Sequence, residues 1–224
     1  MLLERVFGDG AQQLRLRRTE RRIDTCGLRV RKTLEAFDWA FQKNLNRALI
    51  EGLANLDFID TREDVLITGK SGTGKSHILQ ALALRACERE IQVRYTRCVD
   101  LIDDLYAGLA DRTYDARLRR WARAEWLVID DVGLGQLRRR DDEPTAAHML
   151  FNLLDRRHEH ASTAVTSNIM LGEWGKYLGD ATLAAAILDR LAMTSIHIDI
   201  DGPSYREALA KKRAKDHGIV DAAA

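Results

Sequence analysis

Short apolar runs alternate with longer stretches whose apolar residues recur every three or four positions, and this rhythm governs the middle of the chain. Val65-Leu66-Ile67-Thr68 is a compact apolar strand, and the stretch from Ser76 to Glu88 carries Leu79, Leu82, Ala83 and Ala86 on one helical face. The unit recurs as a strand over Gln92 to Thr96, a helix over Val99 to Leu109 and a second helical stretch through Trp121. The run Trp126-Leu127-Val128-Ile129 follows, then a charged loop. Ala146, Met149, Leu150, Leu153 and Leu154 mark another helix, Ser162 to Thr166 another strand, and Ser195 to Ile200 the last. Strands without period-two polarity, separated by amphipathic helices, predict an α/β fold: a parallel β-sheet flanked by helices on both faces.

Before this core, Phe37, Phe41, Leu45, Ala48, Leu49 and Leu53 fall at helical spacing, which predicts a short helix ahead of a loop around Asp57 to Glu63. Residues 1–35 are different in kind. Between residues 15 and 32, Arg15, Arg17, Arg18, Arg21, Arg22, Arg29, Arg31 and Lys32 stand against only Glu20 and Asp24, a basic arm or frayed helix. The expected organisation is the arm at 1–35, a core at 36–206 and a basic helical tail at 207–224, with no internal repeat or low-complexity tract.

Composition narrows the picture. Lys plus Arg (35) almost cancels Asp plus Glu (34), so net charge identifies no partner. The chain turns polar after Met-Leu-Leu, and its longest apolar run, Leu183 to Leu188, is far short of a bilayer span, which argues against secretion and membrane insertion. Cys26, Cys87 and Cys98 are widely spaced and form no Cys-x-x-Cys pair, as expected of reduced thiols in a cytoplasmic protein. His158 and His160, two apart on the expected helix, face different directions and suggest solvated surface rather than a metal site.

The chemistry is concentrated between the first strand and its helix. Gly69-Lys70-Ser71-Gly72-Thr73-Gly74-Lys75-Ser76 fits G-x-x-x-x-G-K-[ST] at every fixed position and lies in the strand-to-helix context that the phosphate-binding loop requires. Glycines let backbone N–H groups converge on anionic oxygens at the positive end of the helix. Lys75 is expected to reach the β and γ phosphates of ATP, and Ser76 to ligate Mg2+. Asp130 and Asp131 end a later strand at the carboxyl edge of the sheet, where Asp130 would hold Mg2+ through water and Asp131 would orient the attacking water.

Three further groups are ambiguous by themselves. Thr166-Ser167-Asn168 closes a strand and reads equally as a turn or as an amide aimed at the γ-phosphate. Arg190 beside Asp189 reads as a solvated pair or a mobile cation, and Arg206 follows the final strand with no local signal of its role.

Taken in order, GKSGTGKS, WLVIDD, TSN, GEWGKYLGDATLAAAILDRL and GPSYR resemble the IstB-like helper ATPases of bacterial transposons, relatives of the bacterial helicase loaders. The resemblance runs from about Lys32 to Arg206 and is most specific from Glu173 to Leu191. It implies a P-loop NTPase core of the AAA+ type with little or no lid domain. Asn168 resembles the family's sensor 1, Arg190 its arginine finger and Arg206 its sensor 2. It also implies a homo-oligomer in the ATP state on duplex DNA, helping an integrase-like, DDE-type transposase select its target. The chain departs from the usual pattern in carrying Asp131 where many AAA+ ATPases carry Glu, and in beginning close to the core. Phosphate contacts to DNA would come from Arg15 to Lys32 and Lys211 to Lys215, segments that also read as solvated faces. Two alternatives stand beside the transposition helper: a replicative helicase loader, and a nucleotide-binding scaffold that hydrolyses little.

Overall fold

The structure, a computed structural model, describes residues 2–137 and 144–216. Five parallel strands, β1 (Asp64–Gly69), β2 (Val93–Arg97), β3 (Trp126–Val132), β4 (Ser162–Ser167) and β5 (Ser195–Ile200), form one sheet in the order β2-β3-β4-β1-β5. Around it lie α1 (Leu2–Cys26), α2 (Arg47–Leu53), α3 (Asp57–Asp60), α4 (Lys75–Glu88), α5 (Cys98–Ala110), α6 (Tyr114–Ala122), α7 (Ala146–Arg157), α8 (Trp174–Leu178), α9 (Ala181–Thr194) and α10 (Tyr205–Asp216). Among the described residues no helix is long and apolar enough to cross a membrane.

Both faces of the sheet are covered, which explains the unbroken apolar strands. Val65 and Ile67 pack with Val128, the α4 residues Ile78, Leu79 and Leu82, and the end of α1 at Ile23 and Cys26. Leu66, one residue out of phase, joins Leu127, Ile129 and Val165 under α5, α7 and α9. The edge strand β5 is different: His197 and Asp199 are exposed while Ile198 and Ile200 are buried, the alternation of a half-covered strand. Arg157, buried at the end of α7, donates to Thr163 Oγ1 at 2.9 Å and to the carbonyls of Ala122 and Ala124 at 2.8 and 2.7 Å. It thereby ties the end of α7 to the α6–β3 connection and to the start of β4 at the amino edge of the sheet.

Three expectations are corrected. The helical spacing from Phe37 to Leu53 is realised only over Arg47–Leu53. Upstream, the Phe41 N–H donates to Asp38 Oδ1 at 3.0 Å and closes a turn, and Asn46 accepts from the Leu49 N–H at 3.0 Å, starting the helix there. The stretch Asp57 to Glu63 contains the short helix α3 rather than a plain loop. His158 and His160 follow the end of α7 at Arg157 rather than lying on it. The arm is a long helix followed by irregular chain over residues 27–46. The tail is helical to Asp216, and its remainder lies outside the described residues.

Candidate nucleotide site

The loop between β1 and α4 is shaped by glycines that no other residue can replace without strain. Gly74 has φ +105°, and a Cβ there would lie 2.6 Å from the Phe37 ring. Gly72 has φ +86° and meets Ser204, while its carbonyl accepts from the Tyr205 N–H at 2.9 Å. The start of α10 is thus docked on the loop. Lys75, 3% exposed, donates from Nζ to the carbonyls of Gly69 at 2.6 Å and Lys70 at 2.7 Å. Burial pushes its ammonium down to about 8, opposed by the charges of Asp131 and Asp130, so it remains mostly protonated in neutral solution.

Asp130 is the centre of a buried polar cluster. It accepts from Ser76 Oγ at 3.0 Å, from the hydroxyls of Tyr95 and Thr166, and from the Asp131 N–H at 3.1 Å. Burial raises its carboxyl above the ordinary range, and the hydroxyls of Thr166, Tyr95 and Ser76 work against that rise. Burial likewise pushes the Tyr95 phenol up, so it stays a neutral donor.

Successive residues of a regular strand point to opposite faces, so two adjacent acids would not share a site without a distortion. β3 supplies one. Its pairing with β4 jumps from Ile129↔Val165 to Val132↔Ser167, an extra residue on the β3 side, and Asp131 takes φ +62°. This bulge lets the Asp131 N–H reach Thr166 Oγ1 at 2.8 Å while its carboxylate accepts from Asn168 Nδ2 at 3.0 Å.

A cavity of about 470 Å3 opens over the loop. Lys75, Ser76, Asn168 and Arg206 line it on the polar side, and Phe37, Phe41 and Tyr205 on the aromatic side. Phe41 and Tyr205 meet edge to face at 5.2 Å. Arg206 Nη2 approaches Ser71 Oγ at 3.5 Å.

The structure therefore brings together Gly69 to Ser76, Asp130, Asp131, Asn168 and Arg206. Arg190 is not among the residues lining the cavity. Its partner is also not Asp189: the guanidinium pairs with Asp155 of α7 at 2.8 Å and lies 4.3 Å over the Phe151 ring. Adjacent residues on a helix face different directions, which is why the sequence neighbour is not the contact. Tyr95, Thr166, Phe37 and Phe41 are the site residues that sequence reasoning missed. The available signal for Tyr95 was weak, a phenol in the mixed strand Val-Arg-Tyr-Thr-Arg. The aromatic pair had none, because its spacing mimicked a helix.

The donor set fits Mg2+, a hard cation that takes oxygen ligands: the Ser76 hydroxyl and the Asp130 carboxylate converge beside the loop. Fold and site together define a P-loop nucleotide-binding core of the AAA+ type. The similarity to solved AAA+ structures supports this, among them a crystal structure of a DNA replication initiation factor (TM-score 0.62, 17% identity, 88% of this chain and 58% of that one). Another is AMPPCP-bound DnaA from Aquifex aeolicus (TM-score 0.61, 19% identity, 83% and 55%). DnaI is a third (TM-score 0.57, 20% identity, 78% and 90%).

Within that class, the chain belongs to the IstB-like ATP binding protein family, which it matches over residues 1–214. A Geobacillus stearothermophilus insertion-sequence ATP-binding protein is 36% identical over 83% of this chain and 71% of its own length. The corresponding protein of insertion sequence IS21 from Pseudomonas aeruginosa is 36% identical over 81% of this chain and 66% of its own length.

Proposed function

We propose that this chain is an ATP-hydrolysing helper protein of an insertion sequence, which assembles on duplex DNA as a homo-oligomer in the ATP state and assists a transposase in choosing its target. The observation that carries the ATPase reading is the convergence of Lys75, Ser76 and Asn168 on one cavity, with Asp130 bonded to Ser76 and Asp131 bonded to Asn168. Lys75 would leave the carbonyls it now holds for the β and γ phosphates. Ser76 and Asp130 would hold Mg2+, which when bound neutralises charge between the phosphates. Tyr95 and Thr166 would keep the Asp130 carboxylate oriented by donating to it. Asp131 would orient the attacking water with Asn168 fixing its carboxylate, and Arg206 would face the phosphates from the start of α10. Arg190 would serve a neighbouring subunit's site.

The transposition reading rests on the family and on the insertion-sequence context of its relatives. Its test is reconstitution: the transposase encoded beside this gene, donor ends and target DNA, with ATP and this protein added or left out. ATP-dependent redirection of insertions supports the reading. Unchanged insertion profiles would sink it, and stimulated helicase loading in a parallel assay would replace it with the loader alternative. The scaffold alternative draws on Asp131, shorter than Glu by one methylene and held by Asn168. Turnover no faster with saturating DNA than without protein would favour it.

A further inference from the structure

Arg190 is held by a surface built for a guanidinium. Phe151 and Asp155 are one turn apart on α7, and α9 packs beside them. The Phe151 ring lies 4.3 Å beneath Arg190 Cζ, Asp155 Oδ1 is 2.8 Å from Nη2, and Nη1 approaches the Ala186 carbonyl at 3.4 Å. The Arg190 side chain is 29% exposed, so part of it reaches solvent. A long side chain in solvent samples many rotamers. A ring face holds a guanidinium by cation–π attraction and by stacking, without consuming its N–H donors.

We propose that Phe151 is a positioning residue for Arg190, presenting the guanidinium outward to a neighbouring subunit's nucleotide, and that Asp155 is the counterion Arg190 exchanges for that nucleotide's γ-phosphate. This rests on the reading of Arg190 as a finger acting between subunits. The division of labour follows from the chemistry of each contact. The ring contact survives rotation of the guanidinium toward a phosphate, because it is made to the face of the cation and uses none of its N–H donors. The ion pair does not survive, because Nη2 cannot serve two anions at full strength.

Phe151→Leu keeps apolar bulk against α9 and removes the ring face. ATP turnover at saturating ATP and duplex DNA should fall at least about tenfold, since small misplacement of a transition-state contact is costly, while the Kd for ATP stays unchanged. Phe151→Trp, which keeps a π face, should retain turnover. Asp155→Asn should lower the protein concentration for half-maximal turnover by about two- to fivefold, the scale of a partly exposed ion pair.

The decisive measurement is turnover of mixtures at constant total protein, with subunit exchange confirmed by labelling. Asp131→Asn mixed with Arg190→Ala should exceed the average of the two alone, because a mixed interface rebuilds one complete site. Phe151→Leu should recover in the same way with Asp131→Asn and fail to recover with Arg190→Ala, since both of those lesions lie on the finger side. Recovery with Arg190→Ala, or turnover of Phe151→Leu within twofold of the unsubstituted protein, overturns the role of Phe151 while leaving the finger intact. No recovery in the Asp131→Asn and Arg190→Ala mixture overturns the shared site itself, and the positioning role falls with it.

Discussion

Lys75→Ala should weaken ATP binding, and the structure bounds by how much. The ammonium is buried and satisfied before nucleotide arrives, by the Gly69 and Lys70 carbonyls at 2.6 and 2.7 Å. ATP therefore replaces two contacts to neutral dipoles with contacts to charged phosphate oxygens. An ammonium bonded to a carbonyl is charged on one side only and lies near the lower end of the about 1.5–3 kcal/mol range for hydrogen bonds involving charge, while one bonded to a phosphate oxygen is charged on both sides and lies near the upper end. Two exchanges then yield about 2–3 kcal/mol, or roughly thirty- to 150-fold in Kd. A lysine making its first contacts only on binding would contribute more. The assay is calorimetric titration with MgATP, beside circular dichroism melting of the same samples. The fold should persist, since Gly69 is partly exposed and Lys70 exposed, within reach of water. Affinity within about threefold of the unsubstituted protein, with the melt unchanged, would refute the assignment of Lys75 to the phosphates.

Tyr95→Phe removes one hydroxyl from Asp130 and should cut the Mg2+-dependent tightening of ATP binding by about tenfold, leaving metal-free binding unchanged. Equal losses with and without Mg2+ in paired titrations would show a merely structural role. Arg157→Met strands the carbonyls of Ala122 and Ala124 and should cost about 3–5 kcal/mol in urea unfolding, whereas a loss under 1 kcal/mol would mean the buried guanidinium does little for the fold. Replacing Arg15, Arg17 and Arg18, all exposed on α1, with Ala should reduce the slope of log affinity for duplex DNA against log salt by about two to three, similarly for different sequences. An unchanged slope would place the phosphate contacts elsewhere.

The strands were legible because the central ones are buried on both faces, β5 alternates as a half-covered edge does, and turn chemistry bounds them: Ser195 to Ile200 is matched residue for residue, and the others to within one to three residues. The phosphate loop was legible because its chemistry is local, with glycines, lysine and serine all within eight residues. What sequence could not show depends on contacts across the chain. Asp38 and Asn46 interrupt a helical apolar spacing by capping, and a period count weighs them no differently from other polar residues. The bulge that re-aims Asp131 is a property of the pairing between β3 and β4, not of either strand alone. Tyr95 reaches Asp130 because β2 and β3 are neighbours in the sheet, and Phe151 reaches Arg190 because α7 packs on α9.

In the structure, three of the groups proposed to act on ATP each hold a partner within the protein. Lys75 holds loop carbonyls, Asp131 holds Asn168, and Arg190 holds Asp155. Each step of the proposed cycle is consequently an exchange of partners, and exchanges have small net free energies even when the individual contacts are strong. ATP displaces the first set, the attacking water competes for the second, and a neighbouring subunit's γ-phosphate draws off the third. No single exchange completes the site, because the three partners lie on different elements: the loop before α4, the end of β4, and α7. In the proposed cycle, hydrolysis then requires nucleotide and neighbour together. That requirement is what a protein needs if its nucleotide state is to report whether it has assembled, and it follows here from the placement of Asp155 and Asn168 as much as from that of Lys75.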